Sequence, residues 1–279
     1  MQVVLHKDGA ELGDPGVFRG RITFSDALLS DYSWPLVEIR GREEGPRLCV
    51  SAGVHVNEVS SIEAAIRLQK LVDPESLRGT LSIIPLINQP ALYKYTEYNC
   101  PVDGKNINFS FPGDPSGTFS EVLCHAILHE WCAGADCYID LHGGDLRERV
   151  SRFVLFQRTG TGTRDAWHQD LAMCFDADIV VGLPEKEMRK PGRPPTGFAT
   201  AGHVSIMSEA GANGVLDEGS IGYHVQGVLG IAAKLGMIEG ADAPFQRQRA
   251  LCNEYLWVEM PVSGQLYADV EAGDPVVQG

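Results

Sequence analysis

The chain has 279 residues, of which 44% are hydrophobic and 22% charged, so it can build one large core and is too apolar for a disordered chain. Its formal net charge of −14, from 23 Lys and Arg against 37 Asp and Glu, argues against nucleic acid or an anionic membrane as a partner. No basic segment followed by an apolar one opens the chain, and no apolar run is long enough to span a bilayer, so we expect a cytoplasmic protein.

From residue 47 onward, short apolar runs alternate with segments of helical periodicity, a pattern that is typical of an α/β protein. Strands are predicted, in chain order, at 47–53, 80–87, 136–141, 153–156, 178–183 and 203–208. Helices are predicted between them at 58–71, 120–131, 164–175 and 217–235. We therefore expect a sheet with helices packed on its faces.

Three segments lack these periods. Residues 88–118 carry aromatic residues among prolines and glycines, which indicates an ordered functional loop. Residues 184–198 combine four prolines with basic side chains, and we interpret them as a mobile surface loop or lid. From about residue 247 the pattern changes to β alternation, most clearly at 255–260.

The clearest chemical signal is the sequence GVHVNE at 53–58, where a predicted strand gives way to a helix. Hydrolytic zinc sites use nitrogen and carboxylate ligands and leave one position open for water. His55 and Glu58, three residues apart across a turn, can converge on one ion. In DLHGG at 140–144, His142 ends another predicted strand and can supply a third ligand, and the two glycines after it allow a sharp turn or a close approach to a ligand. An isolated HxxE pair is common at helix starts, so it is the second motif that favours a metal site.

A third motif, SEAG at 208–211, places Glu209 where an apolar strand is expected to stop. A carboxylate beside a metal-bound water can take its proton and pass it to the departing amine. Taken alone, such a glutamate is more commonly a loop cap.

Other candidate motifs give weaker evidence for a functional site. His125 and His129 share a helix face but lack the HExxH arrangement, so a packed or solvated face is the better interpretation. The seven cysteines form no CxxC pair and are expected to be buried structural thiols in a reducing compartment.

Taken in order, GVHVNE, the segment 88–113 with DGKNINFSFPG, DLHGG and SEAG resemble the succinylglutamate desuccinylase and aspartoacylase family, which belongs to the zinc carboxypeptidase superfamily. The resemblance spans roughly residues 47–270. It implies a three-layer α/β/α fold with a mixed sheet of about eight strands. It also implies a catalytic domain at 1–246 and a shortened β appendage at 247–279.

The resemblance further assigns roles to individual residues. It implies one zinc ion per chain, held by the three candidate ligands His55, Glu58 and His142. Glu209 becomes the general base and acid, and the pair Asn106 and Asn108 is expected to support the metal and contact substrate.

The chain departs from the family at two positions. At the position of Phe109, relatives usually have an arginine that binds a substrate carboxylate. At the position of Glu97, they commonly have an arginine near the developing oxyanion. A bidentate arginine clamp cannot be replaced by Phe or Glu. Three alternatives stay open: the substrate lacks the carboxylate, a cationic or neutral group takes its place, or another arginine supplies the function, from among Arg147, Arg149 and Arg152.

The expected activity is zinc-dependent cleavage of the amide bond of a small N-acylated amino acid or related amide, by attack of metal-bound water assisted by Glu209. One alternative is a non-catalytic ligand-binding or regulatory relative that has lost the substrate arginines. Another is a metallocarboxypeptidase, which Phe109 disfavours because a C-terminal carboxylate would lack its anchor. The expected partner is a small-molecule amide, and a homo-oligomer stays open.

Overall fold

The computed structural model describes residues 1–6, 15–240, 249–275 and 277, and within them ten strands form a single mixed sheet. The strands are β1 Gln2–His6, β2 Gly16–Thr23, β3 Trp34–Arg40, β4 Glu43–Ala52, β5 Arg78–Ile84, β6 Cys137–His142, β7 Arg149–Gln157, β8 Ile179–Leu183, β9 Ser205–Ala212 and β10 Ala250–Cys252. The α-helices are α1 Val59–Leu71, α2 Gln89–Lys94, α3 Phe119–Ala126, α4 Gly162–Ala172, α5 Pro194–Thr200 and α6 Glu218–Lys234. A π-helical turn, Ile127–Trp131, extends α3, and short 3-10 segments occur at Ala27–Leu29, Ile107–Phe109 and Glu185–Arg189.

The strand order is β1-β2-β3-β5-β4-β6-β9-β7-β8-β10. Its centre is parallel, since β5, β4, β6 and β9 all run in one direction. The outer strands are mixed: β1, β2 and β3 pair antiparallel, and β7 runs against β9. The expected α/β class with a mixed sheet is confirmed. The sheet has more strands than expected because β1 to β3 extend it beyond β5, in a region for which the sequence predicted no element.

Helices cover both faces of the sheet. Successive residues of a strand point to opposite faces, so Val50 of β4 packs in one hydrophobic core and Cys49 in the other. The first core takes apolar side chains from α1, α4 and α6, including Leu68 of α1. The second takes them from α3, α5 and the N-terminal strands, including Trp34 of β3 and Phe198 of α5. The parallel strands are therefore covered on both sides, as their continuous apolar runs predict.

Local sequence explains where helix α1 ends and where helix α6 begins. Helix α1 stops before Asp73 and Pro74, since a proline disfavours helical conformation in the residue before it. Asp217 caps the N-terminus of α6 by accepting a hydrogen bond from the backbone N–H of Ser220 at 2.7 Å.

The interpretation of 184–198 as a mobile surface loop or lid is wrong for its second half. Prolines 194 and 195 open α5, where their fixed φ angle suits the first turn, and residues 194–199 are buried. Gly197 lets this helix approach the chain at Phe111, because a Cβ at that glycine would lie 2.5 Å from the Cβ of Phe111.

The C-terminal segment differs from its predicted β pattern. Strand β10 joins the main sheet beside β8, and the described residues from 253 onward contain no strand, including 255–260. The predicted boundary between 246 and 247 falls in 241–248, outside the described residues, so the division into two domains stays a prediction. None of the described helices combines the length and hydropathy needed to cross a membrane, and the cytoplasmic location stays a prediction. All seven cysteines are free thiols, five of them buried.

Candidate active site

The sheet brings three sequence motifs to one edge. Strands β4, β6 and β9 are neighbours and run parallel, so their carboxyl ends lie side by side, where open α/β sheets bind ligands. His142 is the last residue of β6 and pairs in register with Glu209 of β9. Because β9 continues to Ala212, Glu209 lies inside this strand and not beyond its end as predicted.

The first motif reaches the same edge through the turn after β4. Gly53 adopts a left-handed φ of +68° there, and a Cβ at this position would lie 2.9 Å from the side chain of Leu86. His55 follows in the turn, and Glu58 is the N-cap of α1. The turn thus aims both side chains back towards the end of β6.

His55, Glu58 and His142 form a buried cluster whose candidate ligand atoms lie within 4.8 Å of one another. Nδ1 of His55 is 2.6 Å from Oε1 of Glu58, and Nδ1 of His142 is 3.1 Å from Oε2 of the same carboxylate. The three residues are at most 5% exposed. Within the described part of the chain, no other group of three His, Cys, Asp or Glu side chains is as close.

Outer contacts decide which nitrogen of each histidine carries the proton. Nε2 of His142 lies 2.9 Å from Oδ2 of Asp140, and Nε2 of His55 lies 3.0 Å from Oδ1 of Asn106. Both oxygens accept, so each neutral imidazole donates from Nε2 and turns the lone pair of Nδ1 towards Glu58. Apart from their 3.1 Å approach to each other, Oε2 of Glu58 and Nδ1 of His142 are buried without a hydrogen-bond partner among the described residues.

Such an arrangement fits a cation. With the imidazole protons on Nε2, two nitrogen lone pairs and a carboxylate face one another, which is the donor set that zinc takes in hydrolytic sites. Burial raises the pKa of Glu58, but the two histidines outweigh it and hold that pKa at about 2. Asp140 and Glu58 raise the pKa of His142 against the opposing effect of burial. The site is thus anionic enough to favour either protons or a metal ion.

A buried chain of hydrogen bonds holds Asp140 in place. Oγ of Ser51 donates to Oδ1 of Asp140 at 2.5 Å, and the hydroxyl of Tyr138 lies 2.6 Å from the same Oγ. These three residues are fully buried. The carboxylate that orients His142 is therefore fixed from its far side as well.

The two glycines after His142 lie close to the backbone of β9, and their predicted close approach to a ligand stays a prediction. A Cβ at Gly143 would lie 2.4 Å from the carbonyl oxygen of Ala210, and one at Gly144 would lie 2.6 Å from that of Gly211. They allow the chain after β6 to pass directly against β9. That contact keeps His142 and Glu209 side by side.

A cavity of about 340 Å³ opens in front of the cluster. Besides His55 and Glu58, its charged lining groups are two carboxylates, Glu148 and Glu209, and three arginines, Arg147, Arg149 and Arg193. Glu209 is partly exposed to it. Burial, followed by the charges of Glu58 and Glu148, raises the pKa of Glu209 well above its usual value, while His142 and Arg193 oppose this.

The remaining predicted site residues are placed as follows. Asn106 contacts His55 and also accepts a hydrogen bond from the backbone N–H of Asn108 at 3.0 Å. Asn108 and Phe109 line the cavity, and Oδ1 of Asn108 is buried without a described partner. Glu97 does not line the cavity. It forms an ion pair of 3.1 Å with Arg147, and Arg147 does line the cavity.

Sequence reasoning missed several lining residues. Arg193 belongs to the segment interpreted as a lid, and Tyr255 and Trp257 belong to the predicted β appendage. Tyr98 packs edge-on against His55 with 5.1 Å between ring centroids, and burial with Glu148 raises its pKa. A basic residue next to prolines gave no signal of its own, because the position of Arg193 depends on the packing of α5.

The chain matches the model of the succinylglutamate desuccinylase/aspartoacylase catalytic domain over residues 44–235. It is similar to the N-alpha-acetyl-L-2,4-diaminobutyric acid deacetylase of Halomonas elongata, with 26% identity over 247 residues, covering 87% of this chain and 71% of that protein.

Solved structures show the same architecture. The succinylglutamate desuccinylase/aspartoacylase from Rhodobacter sphaeroides has 25% identity and a TM-score of 0.68, covering 85% of this chain and 69% of that one. The product-bound ectoine utilization protein EutE (DoeB) from Ruegeria pomeroyi shares the fold, with 23% identity, a TM-score of 0.72, and coverage of 89% of this chain and 74% of that one.

Proposed function

Because the chain belongs to the succinylglutamate desuccinylase/aspartoacylase family, we propose that it is a zinc-dependent hydrolase that removes the acyl group from a small N-acylated amino acid or a related amide. Its relatives are deacylating hydrolases that act on amides. The observation that supports the proposal most strongly is the buried cluster of His55, Glu58 and His142, whose metal-type donor atoms face one another beside Glu209.

One zinc ion per chain would be held by Nδ1 of His55, the carboxylate of Glu58 and Nδ1 of His142. When bound, zinc supplies a Lewis acid that polarises the amide carbonyl and acidifies water. The protein's part would be to keep both Nδ1 atoms unprotonated, and the hydrogen bonds from Nε2 of each histidine to Asn106 and Asp140 support this role.

Glu209 is proposed to move the proton. It pairs in register with His142 and lines the cavity, so its carboxylate stands next to the proposed metal site. Its raised pKa suits a group that takes a proton from water and then gives it to the departing amine.

Asn108 is proposed to contact the substrate. Its Oδ1 is buried at the cavity wall without a described partner, and a buried acceptor gains stability from an N–H donor. An amide substrate offers such a donor. Asn106 acts through His55 and is proposed to orient it.

The test is a hydrolysis screen of the zinc-loaded protein against N-acyl amino acids, acylated diamines and simple amides. We expect turnover of at least one class. In the Glu209→Gln variant we expect turnover to fall by about 10²- to 10⁴-fold while zinc content stays near one per chain.

The matched control is Glu63→Gln, which changes a glutamate paired with Arg67 at 2.7 Å in α1, outside the cavity lining. Its activity should equal that of the wild type. Absence of turnover in every class of amide, or full activity in Glu209→Gln, would contradict the proposed function.

A further inference from the structure

Three arginines line the cavity, and two of them already have an anionic partner. Arg147 forms an ion pair with Glu97, and Arg149 forms one with Glu271. Their side chains are 79% and 56% exposed. A substrate carboxylate at either place would have to displace a carboxylate of the protein, and the attraction would be screened by water.

The third arginine, Arg193, is held in a different way. Its guanidinium carbon lies 4.8 Å from the ring centroid of Phe109 and 4.7 Å from that of Tyr255, so one aromatic ring stacks on it from each of two segments. Among the described residues its N–H groups donate no hydrogen bond and form no ion pair. Burial lowers the pKa of this guanidinium, against the opposing charges of Tyr255, Glu209 and Glu187.

A cation in this state favours an anionic ligand. The residue is partly buried, and the stacked rings offer its N–H donors no acceptor, so an anionic ligand in the cavity would supply one. The planar fork matches a carboxylate, which it can bind through two parallel hydrogen bonds. The charge of Arg193 also acts on Glu209, so the two side chains serve the same cavity.

We propose that Arg193 binds the carboxylate of the substrate, so that the enzyme prefers N-acyl amino acids with a free carboxylate over neutral amides. This inference rests on the proposed function. It also gives Phe109 a role. Relatives usually have the carboxylate-binding arginine at this position; here Phe109 stacks on Arg193, an arginine from another segment.

An adjoining cavity of about 300 Å³ supports this placement. It shares Phe109, Arg193, Tyr255 and Trp257 with the cavity in front of the cluster. Its two lysines are already paired, Lys186 with Glu254 at 3.2 Å and Lys190 with Glu187 at 3.4 Å. Arg193 is thus the basic group still open to a ligand within the described lining of either cavity, and space for an amino-acid side chain lies beside it.

The test compares ligands that differ only in charge. The probes are the N-acetyl derivatives of alanine, aspartate and 2,4-diaminobutyrate, each paired with its α-carboxamide. Binding is measured by calorimetry in the Glu209→Gln background, and KM and kcat are measured with active enzyme. The protein that keeps Arg193 should bind the best carboxylate probe about 10- to 100-fold more tightly than the matching carboxamide.

Four variants separate the explanations. Arg193→Gln should abolish this preference by weakening carboxylate binding and raising its KM, with a smaller change in kcat and none in carboxamide binding. Arg193→Lys keeps the charge without the fork and should fall in between; it also serves if the Gln variant fails to fold. Arg147→Gln removes the rival arginine. Arg158→Gln is the matched control, an arginine 6.0 Å from the ring of Phe156 and outside both cavity linings.

The inference is overturned if wild type shows no carboxylate preference in any pair, if Arg193→Gln retains it, or if Arg147→Gln removes it. Failure of the proposed function gives a different result. A preference that depends on Arg193 in calorimetry, without turnover of any probe, would support Arg193 as the carboxylate site and refute the hydrolase.

Discussion

Replacement of Asp140 by asparagine tests how Nδ1 of His142, the nitrogen proposed to bind the metal, would be kept unprotonated. Nε2 of His142 donates to Oδ2 of Asp140 at 2.9 Å, and Ser51 donates to Oδ1 at 2.5 Å. Both carboxylate oxygens therefore accept, in surroundings where all three side chains are fully buried. Asparagine keeps the shape but turns one of the two acceptors into an NH₂ donor.

Either orientation of the new amide breaks part of this chain of bonds. If the NH₂ group faces His142, the imidazole must move its proton to Nδ1, the nitrogen that faces Glu58. If it faces Ser51, the serine hydroxyl must donate to Tyr138 instead, and the Tyr138 proton loses its acceptor. Loss of an outer partner of a metal ligand weakens metal binding by about 10- to 100-fold, or about 1.4–2.8 kcal/mol.

Zinc affinity is measured by competition with a chromophoric chelator, with circular dichroism to show that the variant is folded. Ser51→Ala is the control, because it removes the bond to Oδ1 and leaves the bond between Asp140 and His142 in place. We expect a smaller loss there than in Asp140→Asn. Equal zinc affinity in wild type and Asp140→Asn would show that Asp140 does not prepare His142 for zinc.

Two predictions concern stability. Gly143→Ala places a Cβ 2.4 Å from the backbone oxygen of Ala210, so the chain after β6 must move away from β9. The free energy of unfolding, measured by urea titration, should fall by about 1–3 kcal/mol. An unchanged midpoint would contradict this. The hydroxyl of Thr118, just before α3, donates to Oδ2 of Asp103 at 2.8 Å. Thr118→Ala should therefore lower the free energy of unfolding by about 1 kcal/mol, while Thr118→Ser should stay near wild type; equal losses in both variants would count against a role for this hydroxyl.

The sequence predicted the centre of the molecule well because the information there is local. The strands that became β4, β5 and β6 are continuous apolar runs, and burial on both faces produces that pattern. The same holds for the cluster of His55, Glu58 and His142: the first two lie on one turn, and the third ends a strand. Their convergence follows from parallel strands ending at one edge, although their roles in binding and catalysis remain proposals.

The sequence did not predict what depends on distant contacts. Arg193 reaches the cavity because α5 packs against Phe111, and Tyr255 reaches it from beyond β10. Neither residue lies in a motif. The N-terminal strands were not predicted either, although alternate residues of β2 and β3 are buried. The predicted end of the strand before Glu209 was too early, because SEAG continues in β9 although its glycine weakens the strand pattern.

The most direct test of the proposed zinc site is anomalous diffraction at the zinc edge from crystals of the zinc-loaded protein. We expect one peak per chain, at about 2.0–2.2 Å from Nδ1 of His55, a carboxylate oxygen of Glu58 and Nδ1 of His142. A peak bound elsewhere, or no peak between these three side chains at saturating zinc, would contradict it.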